Sequence, residues 1–148
     1  MSDTKHTRKL LVLLGKYEES HRHPHNEIIH FVCVPVIVWT VLALLWLLHP
    51  FVAIGAACLA LVYYWTLSKP FALGMAIMAG CMLGLTFALP TTLLFPVALS
   101  AFVIAWIGQF IGHKIEGKKP SFFEDLQYLL IGPLFVLSFL YRRLSIRY

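Results

Sequence analysis

Polar and apolar positions along the chain fall into long blocks. Residues 31–48, 51–67, 71–89 and 93–112 form four runs without a single Asp, Glu, Lys or Arg. Each approaches the roughly 20 residues that an α-helix needs to cross a hydrocarbon core about 30 Å thick. The separators are minimal: His49-Pro50, then Ser68-Lys69-Pro70, then Pro90-Thr91-Thr92. Connections this short make consecutive helices antiparallel neighbours. The pattern predicts an all-α integral membrane protein, a single domain over 1–148 with four transmembrane helices.

Two flanking segments carry a different pattern. Within residues 1–20, Leu10, Leu11, Leu13, Leu14 and Tyr17 can share one helical face, with Arg8, Lys9, Lys16 and Glu19 in water, which predicts an interfacial helix. At the other end, LQYLLIGPLFVLSFLYRR (126–143) is short for a span and carries Gly132-Pro133 in its middle. A crossing would also put Arg142, Arg143 and Arg147 opposite the other basic residues. Residues 121–143 are therefore read as a re-entrant or interfacial helix, opened by a Ser121–Glu124 capping box.

In the third run, Ala72, Ala76, Gly80, Gly84 and Ala88 recur every four residues. Such a small-residue stripe lets a helix approach closely, either inside one subunit or as the seam of a homodimer.

Composition removes the soluble alternatives. Only 13% of the 148 residues are charged, about half the usual share of a soluble domain. Lys5, Arg8, Lys9, Lys16, Arg22, Lys69, Lys114, Lys118 and Lys119 all fall on one side of a four-span scheme, and the opposite loops are uncharged. The positive-inside rule makes that side cytoplasmic, in a bacterial inner membrane or the endoplasmic reticulum. These basic groups suit anionic headgroups, and no nucleic-acid partner is expected. Cys33, Cys58 and Cys81 stand alone in apolar runs, so no disulfide or thiolate metal site is expected. MSDTKHTRKL shows no removable signal peptide, and the first span is expected to anchor the protein.

The candidate chemistry lies at the helix ends. His21, His23, His25 and His30 precede the first span, and His113 ends the fourth. Pro24 suits the first turn of a helix and holds His23 extended. Asn26 and His30 then share a face at i, i+4, as do Gln109, His113 and Glu116 at i, i+4, i+7. Gly117 offers a stop for the fourth helix. Two helix ends can thus present Asn26, His30, Gln109, His113 and Glu116 to each other, with His21 nearby if the chain folds back. Imidazole suits iron, zinc, copper and nickel; several histidines with a carboxylate fit non-haem iron. Asn26 or Gln109 could orient a ligand ring. Histidines at a membrane interface also commonly bind only headgroups and water.

HRHPHNEIIHFVCVPVIV and WIGQFIGHKIEGKKPSFFEDLQYLLIGPLFV resemble a membrane family long catalogued as a domain of unknown function. Its fungal member is the endoplasmic-reticulum dioxygenase of 2-hydroxy fatty acids, acting in phytosphingosine (sphingolipid) breakdown. The family pattern is matched by His21, Asn26, His30 and Pro35, and again by Gln109, Gly112, His113, Glu116 and Pro120. Cys33 stands where glycine is usual, Ser121 where alanine is usual, and an acidic residue is missing near 138–141. His23 and His25 match no part of the pattern.

The resemblance implies an Fe(II)-dependent dioxygenase performing α-oxidation of a 2-hydroxy fatty acid with O2, giving an acid one carbon shorter. It implies metal ligands His21, His30 and His113, with Asn26, Gln109 or Glu116 as a further ligand or support and Glu116 a candidate catalytic group. Lys114 or Arg22 could attract the substrate carboxylate. Two other functions suit the same residues: a metal-free membrane scaffold or lipid-binding protein, and a transporter. The last is disfavoured because no charge lies within a span.

Overall fold

The structure, a computed structural model, describes residues 2–19, 21–117 and 128–146, with side chains from Leu10 onward. Its described residues form six α-helices and one 3-10 turn, and they contain no strand. They are α1 (Ser2–Glu18), α2 (Pro24–Leu48), α3 (Pro50–Leu67), α4 (Lys69–Ala88), α5 (Thr91–Glu116), the turn Tyr128–Leu130, and α6 (Gly132–Arg143). The side chains of Arg8 and Lys9, the Ser121–Glu124 box, and Lys118, Lys119, Pro120 and Arg147 lie outside the described residues.

Helices α2 to α5 are long and apolar enough to cross a membrane. Their ends follow local chemistry. Both α2 and α3 open on a His-Pro pair, proline costing no hydrogen bond in a first turn. The preceding imidazole caps the helix: His23 Nδ1 accepts the amide of His25 at 3.3 Å, and His49 Nδ1 that of Phe51 at 3.2 Å. Two of the seven histidines thereby have a structural task. Helix α5 stops at Gly117, whose φ of 75° is left-handed and whose N–H returns to Lys114 O at 3.1 Å.

Helix α2 is the hub, packed against α5 most extensively and against α3, α4 and α6 as well. Water supplies no drive between helices in lipid, so close fit and polar links hold them. Trp39 Nε1 of α2 donates to Thr86 Oγ1 of α4 at 3.1 Å, and Thr86 donates onward to Met82 O at 2.9 Å.

Helices α1 and α6 close one end of the bundle. Leu10, Leu14 and Tyr17 are buried with Phe71, Leu134 and Phe135. Leu11, expected on the same face, is exposed; the buried stripe is narrower, at i, i+4 and i+7. At 12 residues, α6 extends about 18 Å, too short to cross a bilayer. It docks on the bundle instead: Tyr141 lies against Gly74 of α4, and its hydroxyl donates to Pro70 O at 2.7 Å. The small-residue stripe of α4 is buried at Ala72, whereas Gly80 and Gly84 face outward with nothing within 4 Å of where a Cβ would stand.

Candidate metal centre

The start of α2 and the end of α5 lie side by side, which brings together residues more than eighty apart in sequence. Gly112 permits this approach. A Cβ there would collide with Asn26 Oδ1 and stand 3.1 Å from the His30 ring. One turn earlier, Gly108 leaves room for Cys33 Sγ, which would lie 2.7 Å from a Cβ. Gly108 and Gly112 form a G-x3-G seam, and Cys33 fills the space that the first of them leaves. The sequence signal for this seam is the pair of glycines one turn apart in GQFIG.

His30 is buried on the first turns of α2, with His113 buried opposite it on α5. Their ring centroids are 4.9 Å apart. His21, just beyond α1, folds back to join them: its ring lies 4.1 Å from His30 and 5.6 Å from His113. Tyr17 holds it there. The two rings stack at 4.1 Å and 10°, and His21 Nδ1 donates to Tyr17 O at 2.7 Å. Sequence reasoning gave Tyr17 only an anchoring role, yet its i, i−4 spacing from His21 was the available signal.

The tautomers follow from the backbone. His30 Nδ1 donates to Asn26 O at 3.0 Å, as His21 Nδ1 does to Tyr17 O. A proton on Nδ1 leaves Nε2 with a lone pair, the form a metal ligand requires. His30 Nε2 is buried without a hydrogen-bond partner, and the buried Gln109 side chain adjoins the same ring. One donor atom from each of His21, His30 and His113 lies within 4.8 Å of the others. Ligands about 2.1 Å from a shared ion can be at most about 4.2 Å apart, so a slight inward ring rotation completes a three-imidazole site. The residues fit a transition metal.

The remaining candidates take other places. Glu116 is not in the donor group. Its Oε1 accepts the amide of Arg22 at 3.0 Å, and its Oε2 accepts the amide of His23 at 2.9 Å and Asn26 Nδ2 at 3.0 Å. Asn26, fully buried, links that carboxylate to the carbonyl that orients His30. Gln109 is buried, and Lys114 and Arg22, the sequence neighbours of His113 and His21, are exposed. His25 is exposed and His23 half-buried.

A family model described as "2-hydroxy-palmitic acid dioxygenase Mpo1-like" matches residues 8–144. The chain belongs to the Mpo1-like family. The 2-hydroxy-palmitic acid dioxygenase MPO1 of Saccharomyces cerevisiae is 30% identical over 136 residues, covering 87% of this chain and 78% of the yeast protein. No solved structure matches the chain. Membership in the Mpo1-like family supports an enzymatic role for this helical membrane protein, and the Mpo1-like match spans all three clustered histidines.

Proposed function

We propose that this protein is an Fe(II)-dependent dioxygenase that shortens 2-hydroxy fatty acids by one carbon at the cytoplasmic face of its membrane. The observation that carries the reading is the buried trio of His21, His30 and His113, drawn from three helix ends in a chain of a dioxygenase family. The reaction balances as R–CH(OH)–COOH + O2 → R–COOH + CO2 + H2O. The C1–C2 bond breaks, C1 leaves as carbon dioxide, and C2 becomes the new carboxyl carbon. The substrate supplies all four electrons that dioxygen accepts, so no further reductant is needed.

A ferrous ion bound by the three imidazoles would supply the redox chemistry that lets dioxygen react with the hydroxy acid. The protein's own groups do the rest. The carbonyls of Tyr17 and Asn26 keep Nδ1 protonated on His21 and His30, presenting Nε2 inward. Tyr17 and Phe135 flank His21 and limit access of water. Lys114 and Arg22, exposed beside His113 and His21, are suited to draw a carboxylate toward the trio. Glu116 acts through Asn26 and the 22–23 backbone as a positioning residue. The basic bias of the histidine end supports a cytoplasmic orientation.

The test is purification without chelators, metal analysis, and turnover of 2-hydroxypalmitate under O2 with pentadecanoate as the product. Roughly equimolar iron and turnover that is lost with His30→Ala are expected. Full turnover in a metal-free His30→Ala protein would overturn the reading, and an iron-free, inactive but folded wild type would favour a scaffold.

A further inference from the structure

Two apolar spaces lie along α2 beyond the histidine trio. The first is small, about 20 Å³, and lies against Tyr17, Val34, Ile37, Trp106, Gln109 and Leu129. Tyr17 stacks on His21 and Gln109 adjoins His30, so this space is walled by residues that touch the trio. The second is about 150 Å³ and extends among α2, α3 and α4. Leu129, in the 3-10 turn, borders both. Along α2 a single stripe connects them: His30 at the trio, Val34 and Ile37 at the small space, then Val38, Val41 and Leu45 at the large one. From His30 to Leu45 that stripe runs about 22 Å along the helix.

The larger space suits hydrocarbon. Its lining is aliphatic apart from Met75 and Tyr64, and the Tyr64 hydroxyl is engaged, donating to Leu130 O at 2.9 Å. Nothing in it calls for a polar ligand. An aliphatic space of this size, partly open at the surface of the bundle, holds about six carbon atoms. Its width comes from alanines. Ala56 and Ala60 on α3 and Ala79 on α4 stand where larger side chains would fill it.

We infer that this cavity receives the hydrocarbon tail of the 2-hydroxy acid, which passes under Leu129 from the histidine trio and into the space between α2, α3 and α4. The inference rests on the activity proposed above and deepens it. An amphiphile with its carboxylate and hydroxyl at the trio needs an apolar path leading inward, and Leu129 borders both this cavity and the small space beside the trio. The Tyr64–Leu130 hydrogen bond holds the 3-10 turn over that path, so the turn acts as its roof. Tail length is then read by protein side chains rather than by the surrounding lipid. Ala56 and Ala60 are specificity-determining positions.

Two experiments on the full chain in lipid vesicles test this. In the first, Ala56→Phe, Ala60→Phe and Ala79→Leu are compared with wild type on 2-hydroxypalmitate and 2-hydroxyoctanoate. The expected result is a fall of about tenfold or more in kcat/KM for the long acid, with the short acid unchanged within about twofold. Equal loss on both acids in every folded variant, or no loss on either, would overturn the inference.

In the second, wild-type protein is photolabelled with a 2-hydroxy acid bearing a terminal diazirine. Label on the inward residues of α2 and α3, displaced by excess 2-hydroxypalmitate, is expected. Label confined to the outward Leu59, Val62 and Trp65, or displaced only by phospholipid, would overturn it. Displaceable labelling of the cavity without turnover of any 2-hydroxy acid would sustain the tail site and refute the activity, so the two failures are distinct.

Discussion

The carboxylate of Glu116 receives the backbone amide of His23 at 2.9 Å across a sequence separation of 93 residues. The same oxygen also takes the Asn26 side chain. The end of α5 is thereby pinned to the chain just ahead of α2, where a negative charge also suits the helix dipole. The trio depends on that pin, because His113 belongs to one side of it and His21 and His30 to the other.

Glu116→Gln should therefore weaken metal binding without removing a ligand. The apparent Kd for iron should rise about tenfold, as for other residues that orient ligands, with full occupancy regained at excess metal. An isothermal titration of apo-protein checks this. Failure to reach equimolar iron at saturation would assign Glu116 a ligand role instead.

Histidine substitutions should split into two groups. His21→Ala, His30→Ala and His113→Ala should each abolish bound iron and turnover. His25→Ala, altering an exposed ring outside the trio, should leave both within about twofold of wild type. Metal content measured beside activity separates ligands from bystanders, and iron loss in His25→Ala would count against the three-imidazole assignment.

Gly112→Ala is expected to be far more damaging than a methyl group suggests. The added carbon would collide with Asn26 Oδ1 and crowd His30, forcing α5 away from α2 at a cost of about 1–3 kcal/mol. Thermal unfolding in detergent should show the loss, with iron binding impaired more than overall helicity. Gly80→Ala, at a position with open space, should change neither.

Thr86→Val tests the polar link between α2 and α4. It removes the acceptor of Trp39 Nε1 while keeping shape. A loss of about 0.6–1.7 kcal/mol is expected, the range for hydrogen bonds between helices in membranes. Iron stoichiometry should not change, because the link lies far along α2 from the trio.

Much of the architecture was legible because a bilayer forces each crossing helix to declare its length in apolar residues. The His-Pro starts and the Gly117 stop were equally readable, being local chemistry. So was the pairing of Asn26 with His30, which follows from helical spacing. The contacts across helices were harder. Nothing local marks Leu11 as outward while Leu10 and Leu14 turn inward, since α1 packs on protein through a narrower face than an interface helix would use. The tight seam of α5 was hidden because two glycines flanking Gln-Phe-Ile are a weaker signal than five small residues spaced every four along α4. Glu116 read as a candidate ligand because its face is that of His113; only the position of the 22–23 amides reveals that it serves backbone.

The distribution of the three imidazoles along the chain has a consequence for biogenesis. A nascent polypeptide that has emerged as far as α4 owns only two members of the trio, His21 and His30, so the proposed three-imidazole site is still incomplete. On the function proposed above, capture of the ion would then follow synthesis and insertion of α5, and a product truncated before His113 would stay redox-inert.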